Sequence, residues 1–292
     1  MPRRLRVLAA AKVNLTLEVL GRRDDGYHEI ASVMTTIGLA DDVRVGPARA
    51  LDVRVRPPLE GPPGEELVGR AARALAEAAG IEPRAHVLVR KRIPVAAGLG
   101  GGSSDAGAAL RALARTWHAD GADLVAIGAR VGSDVPFFAA GHPLARVAGR
   151  GESVRALPVA AEPLWIVLVL VAARSLTAHV FAALTPAEMG DGRATDDLVS
   201  LLERGGATPA LVRELARNDL AAAAERVCPP IGEAREAAAG QGATLQLSGS
   251  GPSLFAIADD RAQALHLARS LRRRGLRARA YPTCVPAPVV SA

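Results

Sequence analysis

The 292-residue chain is short of several residue types, and each shortage excludes a class of protein. It has only two cysteines, Cys228 and Cys284, which lack the spacing of a metal site or a disulfide framework. We therefore expect a location in the cytoplasm, where thiols stay reduced. The apolar run 164–173 has only about half of the ~18 residues that a membrane span needs, so it predicts a buried strand and no membrane partner. The basic and then apolar N-terminus lacks a credible cleavage site, which argues against a signal peptide.

Aromatic residues are also scarce, at 3%, and lysine is nearly absent. The net charge of +6 raises the possibility of nucleic-acid binding. However, the arginines are spread along the chain, stacking aromatics are few, and a polyanionic small substrate explains a basic cleft equally well. Of the 36 Lys and Arg residues only Lys12 and Lys91 are lysines. Each lysine either occupies a place that requires a compact ammonium, which arginine cannot supply, or is present by chance.

The most informative segment is a glycine-rich stretch from Pro94 to Ala106, PVAAGLGGGSSDA. The run before it alternates apolar and basic residues and predicts a strand, and the run after it, rich in Ala and Leu, predicts a helix. Glycines let backbone N–H groups approach a ligand, and the first turn of a helix carries unpaired N–H groups with partial positive charge. The stretch therefore predicts an anion site for phosphate. The alternative is a flexible loop capped by Ser103 or Ser104.

This stretch does not match the widely used phosphate-binding fingerprints. A Walker A loop requires a lysine after the glycines, and none is present. A dinucleotide-binding loop usually belongs to the first strand–helix unit of its domain, whereas this stretch comes after several predicted strands. We therefore expect a phosphate cradle of a different family.

The chain as a whole predicts two units that mix strands and helices. With 292 residues it is long enough for two cores, and the segment 158–163, PVAAEP, is typical of a linker. From Lys12 the pattern KVNLTLEVL alternates with period two. A strand there places four polar side chains on one face, those of Lys12, Asn14, Thr16 and Glu18.

Two turns of the first unit present side chains that could serve a site. Asp25 and Gly26 form a strong turn signal, so Tyr27 and His28 follow the turn of a predicted hairpin. Packing for Tyr27 and a surface position for His28 are the alternatives to a binding role. Asp134 precedes Val-Pro, which favours a bend and disfavours a helical backbone. Its carboxylate is either a turn-former or a group pointed into a cleft.

The second unit contains four features that bear on the site. Ser175 or Thr177 is expected to cap a helix. The polar segment 185–197 is expected to be a mobile loop, and the tail 286–292 is expected to fray. The segment ATLQLSGSGPSLFAIAD predicts a strand, a glycine turn and a second strand.

Four segments, in order, resemble the GHMP kinase superfamily, named for galactokinase, homoserine, mevalonate and phosphomevalonate kinases. They are AAKVNLTLEVLGRRDDGYHEI, IPVAAGLGGGSSDAGAAL, GSDVPFFAAGHPLARVAGRGE and LSGSGPSLFAI. The second corresponds to the family signature P-x-x-x-G-L-G-S-S-A, with glycine at its first serine position. The resemblance implies a two-domain α/β (α+β) fold: an N-terminal domain like ribosomal protein S5 over residues 1–160, and a C-terminal α/β sandwich over 161–292.

The resemblance also implies transfer of the γ-phosphoryl group of ATP, with Mg²⁺, to an alcohol. The variant glycine stretch, KVNL and DGYHE are similar to those of family members that phosphorylate the 2-hydroxyl of methylerythritol in a cytidine diphosphate ester. Those members act in non-mevalonate isoprenoid synthesis. The implied partners are therefore ATP and that small-molecule ester, with no nucleic acid and no membrane.

The resemblance assigns residues to four parts of the site. The catalytic residues are Lys12 and Asp134, with Asp134 as the base and the ammonium beside it easing loss of the substrate proton. The residues expected to bind ATP are Pro94, Val95, Ala96, Ala97, Gly98, Leu99, Gly100, Gly101, Gly102, Ser103 and Ser104. The residues expected to bind the substrate are Asn14, Tyr27, His28, Thr177 and Phe181. The third glycine motif consists of Ser248, Gly249, Ser250 and Gly251.

Within the substrate group, the resemblance implies that Tyr27 stacks on cytosine, that His28 hydrogen-bonds it and that Phe181 is the second aromatic. Thr177 is expected near the reacting hydroxyl. The protein ligands of Mg²⁺ are not implied, apart from Ser103 or Ser104, and water is expected to supply most of the shell.

Two other functions stay open at this point. A GHMP kinase for another small alcohol, such as homoserine or mevalonate, would have no evident use for Tyr27 and His28. An S5-like nucleic-acid binder would bind RNA in a salt-sensitive way and would not require Lys12 or Asp134.

Overall fold

The computed structural model describes residues 4–58 and 64–291, so the outermost residues of both predicted domains lie outside it. A large mixed sheet dominates the first half of the chain. Its main strands are β1 (Leu5–Arg22), β2 (His28–Gly46), β3 (Asp52–Arg56), β4 (His86–Arg90), β5 (Leu144–Gly149) and β6 (Ser153–Ala156). The long hairpin of β1 and β2 forms the centre of this sheet. Strand β4, followed by β3, pairs with the C-terminal part of β2, and β5, followed by β6, pairs with the N-terminal part of β2.

The polar row predicted in β1 is buried. Lys12, Asn14, Thr16 and Glu18 are each at most 3% exposed, because further elements cover this strand on both faces. The ladder with β2 shifts register between Ala10 and Lys12 and again between Asn14 and Thr16. Such bulges re-aim side chains, and here they lie at the point where the polar row meets the glycine-rich stretch.

Four helices pack on one face of this sheet. They are α1 (Gly64–Ala79), α2 (Gly101–Thr116), α3 (Leu124–Val131) and α4 (Val135–Ala140). The core between them is rich in alanine, with Ala72 of α1 and Ala109 of α2 fully buried. Small side chains let the helices lie close together, so the start of α2 is held firmly over the end of the sheet.

Six further α-helices and a second sheet make up most of the remaining described residues. The strands are β7 (Trp165–Leu170), β8 (Arg217–Asn218), β9 (Gln246–Leu247), β10 (Leu254–Ala258), β11 (Arg277–Pro282) and β12 (Val290–Ser291). The helices are α5 (Thr177–Ala183), α6 (Arg193–Glu203), α7 (Pro209–Leu215), α8 (Ala221–Val227), α9 (Pro230–Ala239) and α10 (Arg261–Arg273). The second sheet has the order β11-β7-β10-β9, whereas β8 and β12 join β1 in the first sheet.

The second sheet is buried on both faces. One face forms a core with α8, α9 and α10, in which Val167, Leu254 and Ala268 are buried. The other face packs against β1 and β2 through residues such as Leu168 and Phe255. The predicted mixed α/β architecture is confirmed, and the boundary near residue 160 stays a prediction. In residues 4–58 and 64–291 no helix combines the length and the apolar character required to cross a bilayer.

Three local expectations are wrong. Asp134 has a right-handed helical backbone (φ −87°, ψ −11°) and occupies the N-cap position of α4 without a side-chain cap hydrogen bond. The restriction before a proline acts on Val135, directly before Pro136, and Pro136 itself falls in the first turn, where its missing N–H costs nothing. The segment 185–197 is a structured turn followed by α6, because the buried Glu18 carboxylate accepts hydrogen bonds from the backbone of Gly192 and Thr195. Leu176 occupies the cap position of α5, so neither predicted hydroxyl caps that helix.

The tail is also more ordered than expected. Arg111 and Arg115, one turn apart on α2, donate hydrogen bonds to the carbonyl oxygens of Ala287 and Val289. The tail then pairs with β1 as strand β12. These side-chain and backbone bonds compensate the entropy that a free terminus would keep.

Candidate active site

The glycine-rich stretch is a loop up to Gly100 and a helix from Gly101 onward. Gly100 is in the left-handed region (φ +66°) and caps α2, so the serine-capped alternative is wrong. The hydroxyl of Ser104 instead donates to the carbonyl oxygen of Ala10 at 2.7 Å. Residues Gly101 to Ser103 form the first turn, whose N–H groups have no intrahelical acceptor, and no acidic residue lies in this turn. This helix start is therefore suited to an anion such as phosphate.

The loop packs directly on the third glycine motif. Gly98 has φ +71°, and a Cβ atom added to it would lie 2.3 Å from the carbonyl oxygen of Ser248 and 2.7 Å from that of Gly251. The Ser248 hydroxyl donates to the Gly98 carbonyl oxygen at 3.0 Å. Any side chain at position 98 would separate the two turns. The two glycine motifs, distant in sequence, therefore form one surface.

Lys12 lies beneath this surface and reaches Asp134. Its backbone N–H donates to the carbonyl oxygen of Leu99 at 3.0 Å, which ties β1 to the loop. Its Nζ lies 3.6 Å from Oδ2 of Asp134. The Lys12 side chain is 4% exposed, whereas that of Asp134 is 32% exposed. The pair therefore offers a carboxylate that a ligand can reach and a buried ammonium that stabilises its charge.

Asp134 occupies the N-cap position of α4, and the packing of that helix holds it in place. Phe137 and Phe138 of α4 are buried, and the Phe138 ring lies against Gly100. The rigid packing of α4 on α2 thus positions the carboxylate near the start of α2. A reacting hydroxyl could approach Asp134 while phosphate occupies the helix start.

Asn14 positions Lys12. Its Oδ1 accepts hydrogen bonds from Lys12 Nζ at 2.7 Å and from the backbone N–H of Gly249 at 3.0 Å. Its Nδ2 donates to the hydroxyl of Ser32 at 2.9 Å. Asn14 is only 1% exposed and orients the ammonium. The direct substrate contact expected from sequence stays a prediction.

The aromatic residues expected at the substrate end are arranged differently from a simple sandwich. The imidazole of His28 stacks on the Phe181 ring, with 4.8 Å between centroids. Tyr27 is 49% exposed and carries the guanidinium of Arg150 over its ring. Burial, with a smaller effect of Arg22, lowers the pKa of His28 and favours its neutral form. The binding roles of these three aromatic residues stay predictions.

Thr177 and Ser175 connect α5 to the third glycine motif. The Thr177 hydroxyl lies 2.8 Å from that of Ser250, and the Ser175 hydroxyl donates to the Ser250 carbonyl oxygen at 3.1 Å. Thr177 is exposed, so a ligand can reach it. Within the described part of the chain no group of three or more His, Cys, Asp or Glu side chains is arranged to hold a metal ion.

Comparisons with known proteins place this arrangement in a family. The model of the GHMP kinases N terminal domain matches residues 66–142, and that of the GHMP kinases C terminal region matches residues 197–276. A 4-diphosphocytidyl-2-C-methyl-D-erythritol kinase from Paramagnetospirillum magneticum is 40% identical over 270 residues, which cover 90% of this chain and 92% of the relative. The chain belongs to the GHMP kinase family.

Solved structures agree with this assignment. The crystal structure of a 4-(cytidine 5'-diphospho)-2C-methyl-D-erythritol kinase matches this GHMP kinase with a TM-score of 0.77 and 37% identity, covering 96% of this chain and 99% of the other. A homoserine kinase from Cytophaga hutchinsonii has a TM-score of 0.75 at 17% identity, with 99% of this chain and 98% of the other covered, and so shares the fold. The family and the two-domain fold expected from sequence are confirmed.

This GHMP kinase also contains a buried charged cluster under the glycine-rich stretch, which sequence reasoning missed. Lys91 Nζ lies 2.5 Å from Oδ2 of Asp41 and 2.6 Å from Oδ2 of Asp105, and neither carboxylate is exposed. Asp41 also accepts the backbone N–H groups of Arg92 and Ile93, where the loop begins. The retained lysine was a usable signal, but its two partners lie on β2 and α2 and could not be read from spacing.

One ammonium cannot fully compensate two buried carboxylates. Burial raises the pKa of Asp105 to about 8, although the charge of Lys91 acts in the opposite direction. Burial alone would lower the pKa of Lys91, but the attraction of Asp105 and Asp41 raises it above its ordinary value. Oδ1 of Asp105 is buried and has no hydrogen-bond partner among the described residues. Asp105 therefore holds a proton at neutral pH.

We predict that the wild type loses stability relative to an Asp105→Asn variant as pH rises from 5 to 8. The folded-state pKa of Asp105, about 8, lies above the ordinary value of 3.8. The unfolded chain therefore releases its proton first, and stability falls through this window and levels off above it. The difference in unfolding free energy between the wild type and Asp105→Asn should change by on the order of 2–4 kcal/mol between pH 5 and pH 8. Urea denaturation at pH 5, 6.5 and 8 measures it.

The matched control for this titration is Asp52→Asn. Asp52 is 42% exposed, and its bond to Arg54 lowers its pKa, so its removal should not reproduce the trend. Parallel stability curves for the wild type and Asp105→Asn would contradict the assignment of the proton.

Proposed function

We propose that this protein transfers the γ-phosphoryl group of ATP to the 2-hydroxyl of 4-diphosphocytidyl-2-C-methyl-D-erythritol, a step of non-mevalonate isoprenoid synthesis. The observation that carries the proposal is the meeting of Lys12, Asp134 and the α2 N-terminus in a chain so similar to kinases of that name. The proposed partners are ATP and this cytidine diphosphate ester alone, with no nucleic acid. The proposal keeps the cytoplasmic location that the low cysteine content favours.

The proposed reaction uses positioning and charge. The first-turn N–H groups of α2 and the adjoining loop hold the ATP phosphates, and their fixed dipoles need no rearrangement as charge develops. The substrate hydroxyl approaches Asp134, which accepts its proton as the oxygen attacks the γ-phosphorus. ADP leaves, and the proton passes from Asp134 to solvent. The ammonium of Lys12, 3.6 Å from the carboxylate, stabilises the negative charge on the attacking oxygen.

Mg²⁺ is proposed as a companion of ATP. When bound, it neutralises phosphate charge during transfer. Mg²⁺ keeps water and phosphate oxygens as most of its ligands and needs only one or two protein groups. Since Ser104 donates to Ala10, the half-buried Ser103 at the start of α2 is the better placed hydroxyl of the pair. The residues present thus fit a metal that arrives with the nucleotide.

The cytosine end is proposed to lie at the hairpin tip, against Tyr27, His28 and Phe181. Each ring is at least partly exposed, and His28, at the start of β2, stacks on Phe181 of α5. A neutral imidazole has one donor and one acceptor nitrogen, which suits the mixed donor and acceptor edge of cytosine. Because aromatic residues make up only 3% of this chain, their grouping at one place supports a binding role for them.

A coupled ADP-release assay with three alcohols tests the proposed function. We expect turnover with 4-diphosphocytidyl-2-C-methyl-D-erythritol and background rates with homoserine and mevalonate, because only the first has a base for the aromatic residues to bind. A reaction without acceptor measures the ATPase background. Preference for homoserine or mevalonate would overturn the substrate assignment while leaving the kinase chemistry in place.

A further inference from the structure

Arg150 lies in the tight turn between β5 and β6 and presents a cation at the substrate side of the molecule. Its Cζ lies 5.0 Å from the centre of the Tyr27 ring. Its Nη2 donates to the carbonyl oxygen of Ala129 at 3.1 Å, and in the described part of the chain its guanidinium forms no ion pair with an acidic side chain. A guanidinium has five N–H donors, so most of this one's hydrogen-bonding capacity is left for a ligand.

The turn that carries Arg150 is locked against the residue before Asp134. Gly151 has φ +125°, and a Cβ atom added to it would lie 2.1 Å from the carbonyl oxygen of Ser133. The Arg150 backbone N–H donates to the Glu152 carboxylate at 2.6 Å, which closes the turn. The backbone of the turn therefore touches the Asp134 segment, while the side chain of Arg150 touches Tyr27.

This position places Arg150 between the two ends of the proposed substrate. The base is proposed to bind near Tyr27, and the reacting hydroxyl near Asp134. In a cytidine diphosphate ester, the group that joins the nucleoside to the alcohol is the diphosphate. A ligand that reaches both residues must carry that dianionic group past the turn.

We propose that Arg150 binds the diphosphate of the substrate and thereby selects nucleoside diphosphate esters over simple alcohols. The inference rests on the proposed function. Arginine suits this role because its planar fork can donate two parallel hydrogen bonds to phosphate oxygens, while its flat face remains stacked on an aromatic ring. Tyr27 then serves to orient the guanidinium as well as to contact the base.

A purely structural role makes a different prediction. If Arg150 only supports the Tyr27 ring and the end of α3, its substitution should weaken the affinity for every ligand at this end equally, including a nucleoside without phosphates. If Arg150 binds the diphosphate, its substitution should weaken the affinity only for ligands that carry phosphate. The two roles therefore separate in the affinity ratio of cytidine 5'-diphosphate to cytidine.

The test measures both dissociation constants by calorimetry for the wild type and for Arg150→Met. A non-hydrolysable ATP analogue fills the nucleotide site throughout, so that the probes report on the substrate end. Methionine keeps apolar contact with Tyr27 and removes the charge. We expect the wild type to bind the diphosphate more tightly than cytidine, and this advantage to fall about 10- to 100-fold in Arg150→Met. Cytidine itself should bind within about threefold of wild type.

The matched control is Arg155→Met, on the neighbouring strand β6, where the arginine pairs with the exposed Glu203. It should leave the ratio unchanged. An unchanged ratio in Arg150→Met, or an equal loss for cytidine, overturns the inference. Should Arg150→Met fail to fold, Arg150→Lys keeps the charge without the fork, and it should retain only part of the advantage.

Failure of the inference and failure of the proposed function give different results. A wild type that phosphorylates the ester but binds the diphosphate no better than cytidine overturns only the role of Arg150. A wild type that does not act on the ester overturns the proposed function and the inference together.

Discussion

Replacing Asp134 by asparagine should lower kcat about a thousandfold and leave the fold intact. The substitution keeps the size of the side chain but removes the group that accepts the hydroxyl proton, and positioned bases contribute about 10²–10⁴ in rate. The fold should persist because Asp134 is 32% exposed and its ion pair with Lys12 spans 3.6 Å. The KM for ATP should change by a small factor, since the helix start binds the nucleotide. Steady-state ADP release with both substrates varied measures these effects.

Two variants sharpen this prediction. Lys12→Met should lose turnover to a similar extent, and the double variant should be little worse than either single one, because the two residues act as a unit. Asp123→Asn is the matched control. Asp123 caps α3 by accepting the N–H groups of Val125 and Ala126, a role that asparagine also fills. Turnover near the wild-type rate in Asp134→Asn or Lys12→Met would contradict the proposed mechanism.

Replacing Lys91 by methionine should cost about 3–5 kcal/mol of unfolding free energy at pH 7. The ammonium is 7% exposed and bridges two carboxylates that are fully buried. Without it, the charged Asp41 carboxylate remains beside the Asp105 carboxyl with no cation in a site of low dielectric constant, which is far more costly than the loss of packing. Because Asp41 and Asp105 anchor the start of the loop and the first turns of α2, the KM for ATP should rise as well. Urea denaturation and steady-state kinetics measure the two effects.

The pH dependence separates charge from packing in this variant. Buried carboxylates without a cation take up protons more readily, so the stability deficit of Lys91→Met should shrink as pH falls from 7 to 5. A deficit that is independent of pH would contradict the electrostatic account. Arg130→Met is the matched control. Arg130 pairs with Glu77 at the surface, where both side chains are more than half exposed, so its loss should cost about 1 kcal/mol or less.

Lys91→Arg tests whether the site requires a lysine. A Cβ atom on Gly101 would lie 3.4 Å from Lys91 Nζ, which shows how little room surrounds the ammonium. A guanidinium is broader and planar, so we expect the arginine variant to be less stable than the wild type despite its unchanged charge.

The sequence predicted the parts of this site that depend on short segments. The glycine-rich stretch predicted an anion site, and the structure places a helix start there, although it begins at Gly101 and is capped by Gly100. The resemblance singled out Lys12 and Asp134, and the structure brings them together, while their catalytic roles stay predictions. The helical backbone of Asp134 was not predicted, because the restriction from Pro136 acts on Val135 and does not reach Asp134, and a helix tolerates proline in its first turn.

The amino-acid sequence by itself determined the family, the mixed α/β fold and the segments that carry chemistry, because these depend on local patterns and on short motifs in order. Only the tertiary structure decided that Asn14 holds Lys12, that Lys91 lies between Asp41 and Asp105, and that Arg150 covers the Tyr27 ring. The physical reason is that each of these contacts depends on how separate elements pack. A charge or an amide has no fixed partner in the sequence, and its partner is set by the few positions that a close-packed interior allows.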